Sequence, residues 1–337
     1  MKIRRIGVAA VAAAALVSLA ACSSATSGAS GSQGGDGELI KVRVQSQNSI
    51  AAEPLYLGIE QGFFEDEGLD VEVVELPDIA AATAALQAGQ LELAFVPTIS
   101  ALTMARQNVP ITMVAAADGL NPAAADAPLD EQRNYTSAGV FASAGSGITD
   151  LTGLAGAKIA VPELKGQPDG TITSVLQEAG VATDQIEWIN LGFVPALEAL
   201  RSDQIDAAFL VSPFSLEAEA AGLPRIMNPS VSFFPGGSAS TSWTAAKTWA
   251  EGNPDVVERF QRGMATSSAW ANEHLDEVKQ HVIDRAELKL TPADMPQSYW
   301  PQAIDPEQLQ EVDQKLVDIG FFDAPLDVTT ILTAPAE

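Results

Sequence analysis

From Leu39 onward the chain alternates two hydrophobic periods. LIKVRVQS places apolar and polar residues in turn and predicts a strand ending at Gln45-Ser46. Glu53-Pro54 then opens a helix, with proline in the first turn where its missing N–H costs little. Leu55 and Ile59 share one face of that helix, and Gly62 stops it. Phe63, Phe64 and Leu69 pack the turn into DVEVVEL, a strand apolar at Val71, Val73 and Leu76 with Val74 on the other face. A second helix from about Ile79 to Ala88 keeps Ile79, Ala82 and Leu86 in register and ends at Gly89, after which LELAFV is a third strand. Strands alternating with helices predict an α/β fold.

The most informative pattern is an internal echo. ALQAGQLELAF (Ala85 to Phe95) returns 114 residues later as ALRSDQIDAAF (Ala199 to Phe209), with Glu92 matched by Asp206. Both copies predict helix, tight turn, strand and then a polar or proline-bearing loop: Pro97-Thr98-Ile99-Ser100 in one, Ser212-Pro213-Phe214 in the other. Two doubly wound lobes follow, with the matching loops at the carboxyl ends of strands, where open α/β sheets bind ligands. Within the later half, KIAV is a strand, Pro162 to Gly170 a loop, and Thr171 a cap for a helix ending at Gly180. IEWINL is another strand, followed by a helix starting near Pro195. The chain crosses between lobes after ITMVAAADGL and again around IMNPSVSFFPGGS, and Ser240 to Ala246 is a strand returning to the first lobe. Helices around Pro254–His281 and Pro306–Ile319, with Tyr299-Trp300 between them, complete it. These readings set lobe I at 39–120 and 236–337 and lobe II at 121–235. The Ala/Pro/Asp-rich stretch from Asn121 to Asn134 is a surface excursion with no assigned role.

The N-terminus changes the picture. Lys2, Arg4 and Arg5 precede an apolar run from Ile6 to Ala21, the layout of a secretory signal peptide. The run closes on Leu19-Ala20-Ala21-Cys22, which resembles the lipobox of bacterial lipoproteins and marks the only cysteine as a lipidation site. Ordinary cleavage after Ala21 and an uncleaved anchor are the alternatives. Residues 1–22 are thus a leader, and 23–38, rich in Ser, Gly and Ala, a flexible tether. The formal net charge of −26 grows more negative once the three leader cations are lost. Such a body repels nucleic acid and anionic headgroups, so contact with the membrane runs through the lipid on Cys22 only.

AEPLYLGIEQGFFEDEGLDVEVVEL, AALQAGQLELAF, SGITDLTGLAGAKIAV and ALRSDQIDAAFLVSPF occur in that order. Together they resemble binding proteins for nitrate, sulfonate, taurine and thiamine-pyrimidine precursors, although Glu92 stands where aspartate is more usual. The resemblance covers roughly 40–325. It implies a type II periplasmic-binding-protein-like fold, two lobes joined by hinge strands, with a small-molecule ligand captured between them. It further implies a monomer that delivers this ligand to an ABC permease and its ATPase.

Ligand capture of this kind needs no catalytic group, because differential affinity for the closed state drives closure. The matching loops nominate Gln47, Asn48 and Glu53 after strand one, and Thr98 and Ser100 after strand three. Pro162, Gly170, Thr171, Ser212 and Phe214 come from the other lobe, with Phe193 and Trp243 as apolar walls. Each has a plainer reading: Asn48 and Thr171 as helix caps, Thr98 as a turn closer, the aromatics as core. Cations are sparse on these loops, Lys165 being the main one, and Glu53 and Glu163 suit a ligand carrying an amino or heterocyclic N–H group. An oxyanion seated on helix N-termini remains the competing ligand. The enzyme alternative, a pyrimidine-synthase-like chain on the same fold, needs a His or Cys constellation. His274 and His281 fall two turns apart on one predicted acidic helix, too far to share a metal and expected to be exposed. No cofactor or metal site is expected. A ligand-sensing lipoprotein without a transport role is the third reading.

Overall fold

A computed structural model describes residues 38–47, 49–76, 78–125 and 127–336. The expected leader, Cys22, all of the tether but Glu38, and Asn48 lie outside these residues. The first part of the chain runs β1 (Ile40–Gln45), α1 (Glu53–Glu60), α2 (Phe63–Asp66), β2 (Leu69–Val74), α3 (Ile79–Gln87), β3 (Leu93–Pro97), α4 (Thr98–Arg106) and β4 (Ile111–Gly119). The second runs α5 (Leu129–Gln132), β5 (Gly139–Ala142), β6 (Lys158–Val161), α6 (Gln167–Glu178), β7 (Glu187–Asn190), α7 (Phe193–Arg201), β8 (Ala207–Leu210), α8 (Phe214–Ala220), β9 (Arg225–Met227) and α9 (Pro229–Phe233). After it come β10 (Ala239–Ala246), α10 (Lys247–Gly252), α11 (Pro254–Glu273), α12 (Leu275–Arg285) and α13 (Pro306–Asp318).

Two five-stranded sheets result, ordered β2-β1-β3-β10-β4 and β7-β6-β8-β5-β9. The two orders are the same design. Each has three parallel strands, then one antiparallel strand that arrives from the other sheet's half of the chain, then an edge strand paired to it. Alternation of period two buries both faces. In the first sheet Leu93 and Phe95 pack one way, against Val42, Val44 and Trp243, while Ala94 and Val96 pack the other. In the second, Ile159, Val161 and Phe209 face one cluster, and Ala160, Ala208 and Leu210 face its opposite.

The sequence echo is a structural one. Gly89 and Asp203 both take left-handed backbone, at φ 67° and 54°, where their helices turn into strands. Glu92 accepts the Arg43 backbone N–H at 2.7 Å, and Asp206 accepts that of Lys158 at 2.8 Å. Each acid thereby satisfies an N–H of the neighbouring parallel strand, just before strand pairing begins. Glu92 additionally holds the Arg43 guanidinium, at 2.9 Å from Nε and 2.5 Å from Nη2. Glu92→Ala is therefore expected to cost about 1.5–3 kcal/mol in urea unfolding, and Asp206→Ala about 1 kcal/mol. Equal losses would show that the guanidinium contributes nothing.

The expected single helix over Pro254–His281 is two. His274 leaves the helical region at φ −120°, ψ 38°. Its ring stacks on Trp270 with centroids 4.3 Å apart, and both its backbone N–H and Nδ1 turn to the Trp270 carbonyl. That convergence ends α11, and the His274 carbonyl starts α12. Other boundaries shift less: α6 begins at Gln167 and α7 at Phe193. The excursion after β4 lies across the crossover region. Asn121 donates to the Gln297 carbonyl at 2.9 Å, Asn134 accepts the Gln297 N–H at 2.6 Å, and Asn228 reaches Gln132 at 3.4 Å.

Candidate functional site

At the carboxyl edge of the first sheet, β1 runs into Ser46 and Gln47. Gln47 is exposed, whereas Ser46 is 4% exposed and its hydroxyl has no hydrogen-bond partner. Thr98 opens α4, but its hydroxyl donates to the Ala239 carbonyl at 2.9 Å, so it fastens the helix to β10 instead of facing outward. Pro97 and Asp118 flank Thr241 on the two neighbouring strands. Asp118 was not singled out by sequence. Its carboxyl accepts the Ser240 hydroxyl at 3.2 Å and the Gly119 N–H, and burial pushes it up to about 7 although part of the residue stays accessible.

The second sheet offers its own carboxyl edge. Past Val161 come Pro162, Glu163, Leu164 and Lys165, then α6. Thr171 does not cap this helix; it lies inside it, buried, with its hydroxyl on the Gln167 carbonyl at 2.8 Å. The cap is Asp169 at the third helical position. It accepts N–H groups from Lys165 at 2.7 Å, Gly166 at 2.8 Å and Gly170 at 3.1 Å. Burial nevertheless raises the Asp169 carboxyl, against those three bonds and the nearby Lys165. A Cβ at Gly166 would come within 2.4 Å of the Glu163 carboxyl, so a side chain there would push Glu163 from its place. Gly170 packs where a Cβ would meet Leu316 at 3.3 Å and Ile99 at 3.6 Å, a contact between the two halves of the molecule. Asn190 ties the end of β7 to this loop by donating to the Pro162 carbonyl at 2.9 Å. Phe193 and Phe214, which open α7 and α8, stack with centroids 5.8 Å apart; Ser212 beside them is half-buried. Leu164 on the loop after β6 and Val194 in the first turn of α7 stand 51% and 55% exposed, giving this edge an apolar rim.

The two edges meet. Ser100 donates to Glu163 at 2.6 Å, and Thr103 to the Lys165 carbonyl at 2.9 Å. Burial pushes the Glu163 carboxyl upward, with the Ser100 bond opposing it and Asp169 adding to it. Lys165 turns its ammonium over Phe321, 4.8 Å from the ring centre.

Two nominated residues sit elsewhere. Trp243, expected as a wall, is 0% exposed in the core, edge-on to Phe95 at 5.4 Å and to Phe260 at 6.3 Å. Glu53, expected to face a ligand, is 0% exposed and held by Arg285 and His281 of α12. His281, expected exposed, places its Nδ1 against Glu53 and its Nε2 2.9 Å from Glu60. The sequence held no local signal for this cluster, since its halves are more than 220 residues apart.

These paired edges, the shared sheet order and the two crossovers match a known pattern. The model of the NMT1-like family aligns with residues 36–285. The chain belongs to the NMT1-like family. A proposed aliphatic sulfonates-binding protein of Bacillus subtilis (strain 168) is 27% identical over 262 residues, covering 75% of this chain and 72% of its own length. The aliphatic sulphonate binding protein SsuA from Escherichia coli superposes with a TM-score of 0.66 at 14% identity, over 90% of this chain and 94% of its own. The nitrate-binding protein NrtA from Synechocystis PCC 6803 gives 0.67 at 14% identity, over 88% and 86%. This NMT1-like chain therefore has the periplasmic-binding-protein fold.

Proposed function

We propose that this NMT1-like protein is the lipid-anchored, extracytoplasmic solute receptor of an ABC importer, closing its two lobes on a small molecule and handing it to the permease. The contact of Ser100 with Glu163 supports this best, because it joins the first turn of α4, which follows β3 of one sheet directly, to the loop after β6 of the other. Family membership and relatives that bind sulfonate and nitrate support the solute-binding role. The lobes are taken as 39–120 with 236–337, and 121–235. Gln47, Ser100, Pro162, Phe193, Ser212 and Phe214 form the ligand surface, with Asn48 beside them. Thr98, Gly170 and Thr171 shape it from behind. Cys22 bears the lipid, and 23–38 lets the receptor reach its permease.

The test is a thermal-unfolding screen of the body without its leader against sulfonates, nitrate, amino acids and pyrimidines, with X-ray scattering on every compound that binds. A ligand at a hundred times its Kd adds about 2.7 kcal/mol of stability, and closure contracts the particle. Binding without contraction, or chemical conversion of the compound, would overturn the receptor reading. Loss of lipid labelling in Cys22→Ser checks the anchor separately.

A further inference from the structure

Among the described residues the buried acids are matched by positive charge or by several N–H groups, and two half-buried acids have less. Among the described residues, Glu53, Asp169 and Asp313 are the fully buried acids. Glu53 meets Arg285 and His281, Asp313 meets Arg106 at 2.5 Å and the Leu326 N–H, and Asp169 has three N–H donors with Lys165 nearby. Asp118 and Glu163 are partly enclosed, yet neither forms an ion pair; each accepts a serine hydroxyl and one backbone N–H. An enclosed carboxylate without a cation is costly.

Both half-buried acids border the candidate site. Asp118 and Pro97 oppose Thr241 from either side, so they stand two strand spacings apart, about 10 Å. Ser100, one helical turn beyond Pro97, touches Glu163. Each edge also contributes a buried hydroxyl without a partner: Ser46 at the end of β1, 4% exposed, and Ser215 directly behind Phe214, 0% exposed. Arginine is not available as a counter-ion on these loops. Arg43, Arg106, Arg201, Arg225, Arg262 and Arg285 are all paired with other acids.

Resting on the receptor reading above, we propose that the ligand is a cation bearing N–H groups, an ammonium, amidinium or protonated nitrogen heterocycle, for which Asp118 and Glu163 are the counter-ions. The stacked Phe193–Phe214 pair supplies an aromatic face for such a cation. An anion beside either carboxylate in its ionised form would be repelled by it.

The experiment titrates benzamidine, benzylamine, ethanesulfonate and nitrate into the wild-type body and into Asp118→Asn and Glu163→Gln. Calorimetry reads binding, thermal unfolding reads stability and X-ray scattering reads closure. Benzamidine or benzylamine should bind, the two anions should not, and each amide variant should weaken the cation by about tenfold or more while unfolding no earlier than wild type. Tighter binding of an anion, no binding of either cation, or amide variants that lose stability and keep cation affinity would overturn the inference. Contraction on ethanesulfonate would discard the cation and retain the receptor; cation binding without contraction would do the reverse.

Discussion

Replacing Glu53 with alanine is expected to destabilise the protein by about 3–5 kcal/mol, the cost of stripping a buried cation of its counter-ion. Glu53 occupies the first position of α1, where a negative charge also favours the helix dipole, and no side chain caps the preceding Ala52. Its two oxygens take the Arg285 guanidinium and the His281 ring, and Arg285 lies over Tyr56 with its Cζ 3.7 Å from the ring centre. Deleting the carboxylate leaves that guanidinium, whose side chain is 20% exposed, beside an empty space. Glu60 reaches the same histidine from the surface, so Glu60→Ala should cost under about 1 kcal/mol. Urea unfolding with an unchanged slope is the measurement. A Glu53→Ala loss below about 1 kcal/mol would mean that α12 is held by Leu57, Val278, Val282, Ile283 and Trp300 alone.

What the sequence revealed and concealed follows from the range of the forces involved. The echo was legible because its determinants are local: a helix end, one left-handed residue, and an acid placed to catch a neighbouring strand's N–H. α6 starts earlier than the sequence pattern predicts although Pro168 and Asp169 carry the usual signal, because Gly166 contributes no capping side chain. Nothing in NEHLDEVKQH marks a break, since no proline or glycine is present; the stacking of His274 on Trp270 makes it. The loop after β1 lies at the carboxyl end of its strand, yet Glu53 turns inward because its partners arrive on α12, more than 220 residues later. Trp243 likewise read as an available aromatic until its strand was inserted between β3 and β4. Asp118 was invisible for the same reason: ITMVAAADGL reads as a strand end, and only the return of Ser240, 122 residues later, encloses its carboxyl.

That enclosure sets the second large effect. The carboxyl of Asp118 is held at about 7 in the folded protein against 3.8 in a free aspartate, with burial as the main cause and the bonds from Ser240 and Gly119 opposing it. A raised folded pKa means that the folded state binds the proton more tightly than the unfolded one. The stability this contributes is complete below pH 3.8 and is lost as pH rises through about 7. At about 1.4 kcal/mol per unit, and discounting for the accessible part of the residue, the loss is roughly 1–4 kcal/mol at pH 8. Asp118→Asn carries no such charge, so it should exceed the wild type in stability at pH 8 by that amount and converge with it toward pH 4. Ser240→Ala, which removes a donor to the ionised form, should steepen the wild-type decline. Unfolding free energies measured across this range decide the matter: parallel curves for Asp118→Asn and wild type would show that the carboxylate is already compensated. If they diverge as expected, a cation arriving at the site would favour the ionised carboxylate and lower its pKa. Binding near neutral pH would then release protons to the buffer, an effect that Asp118→Asn should diminish.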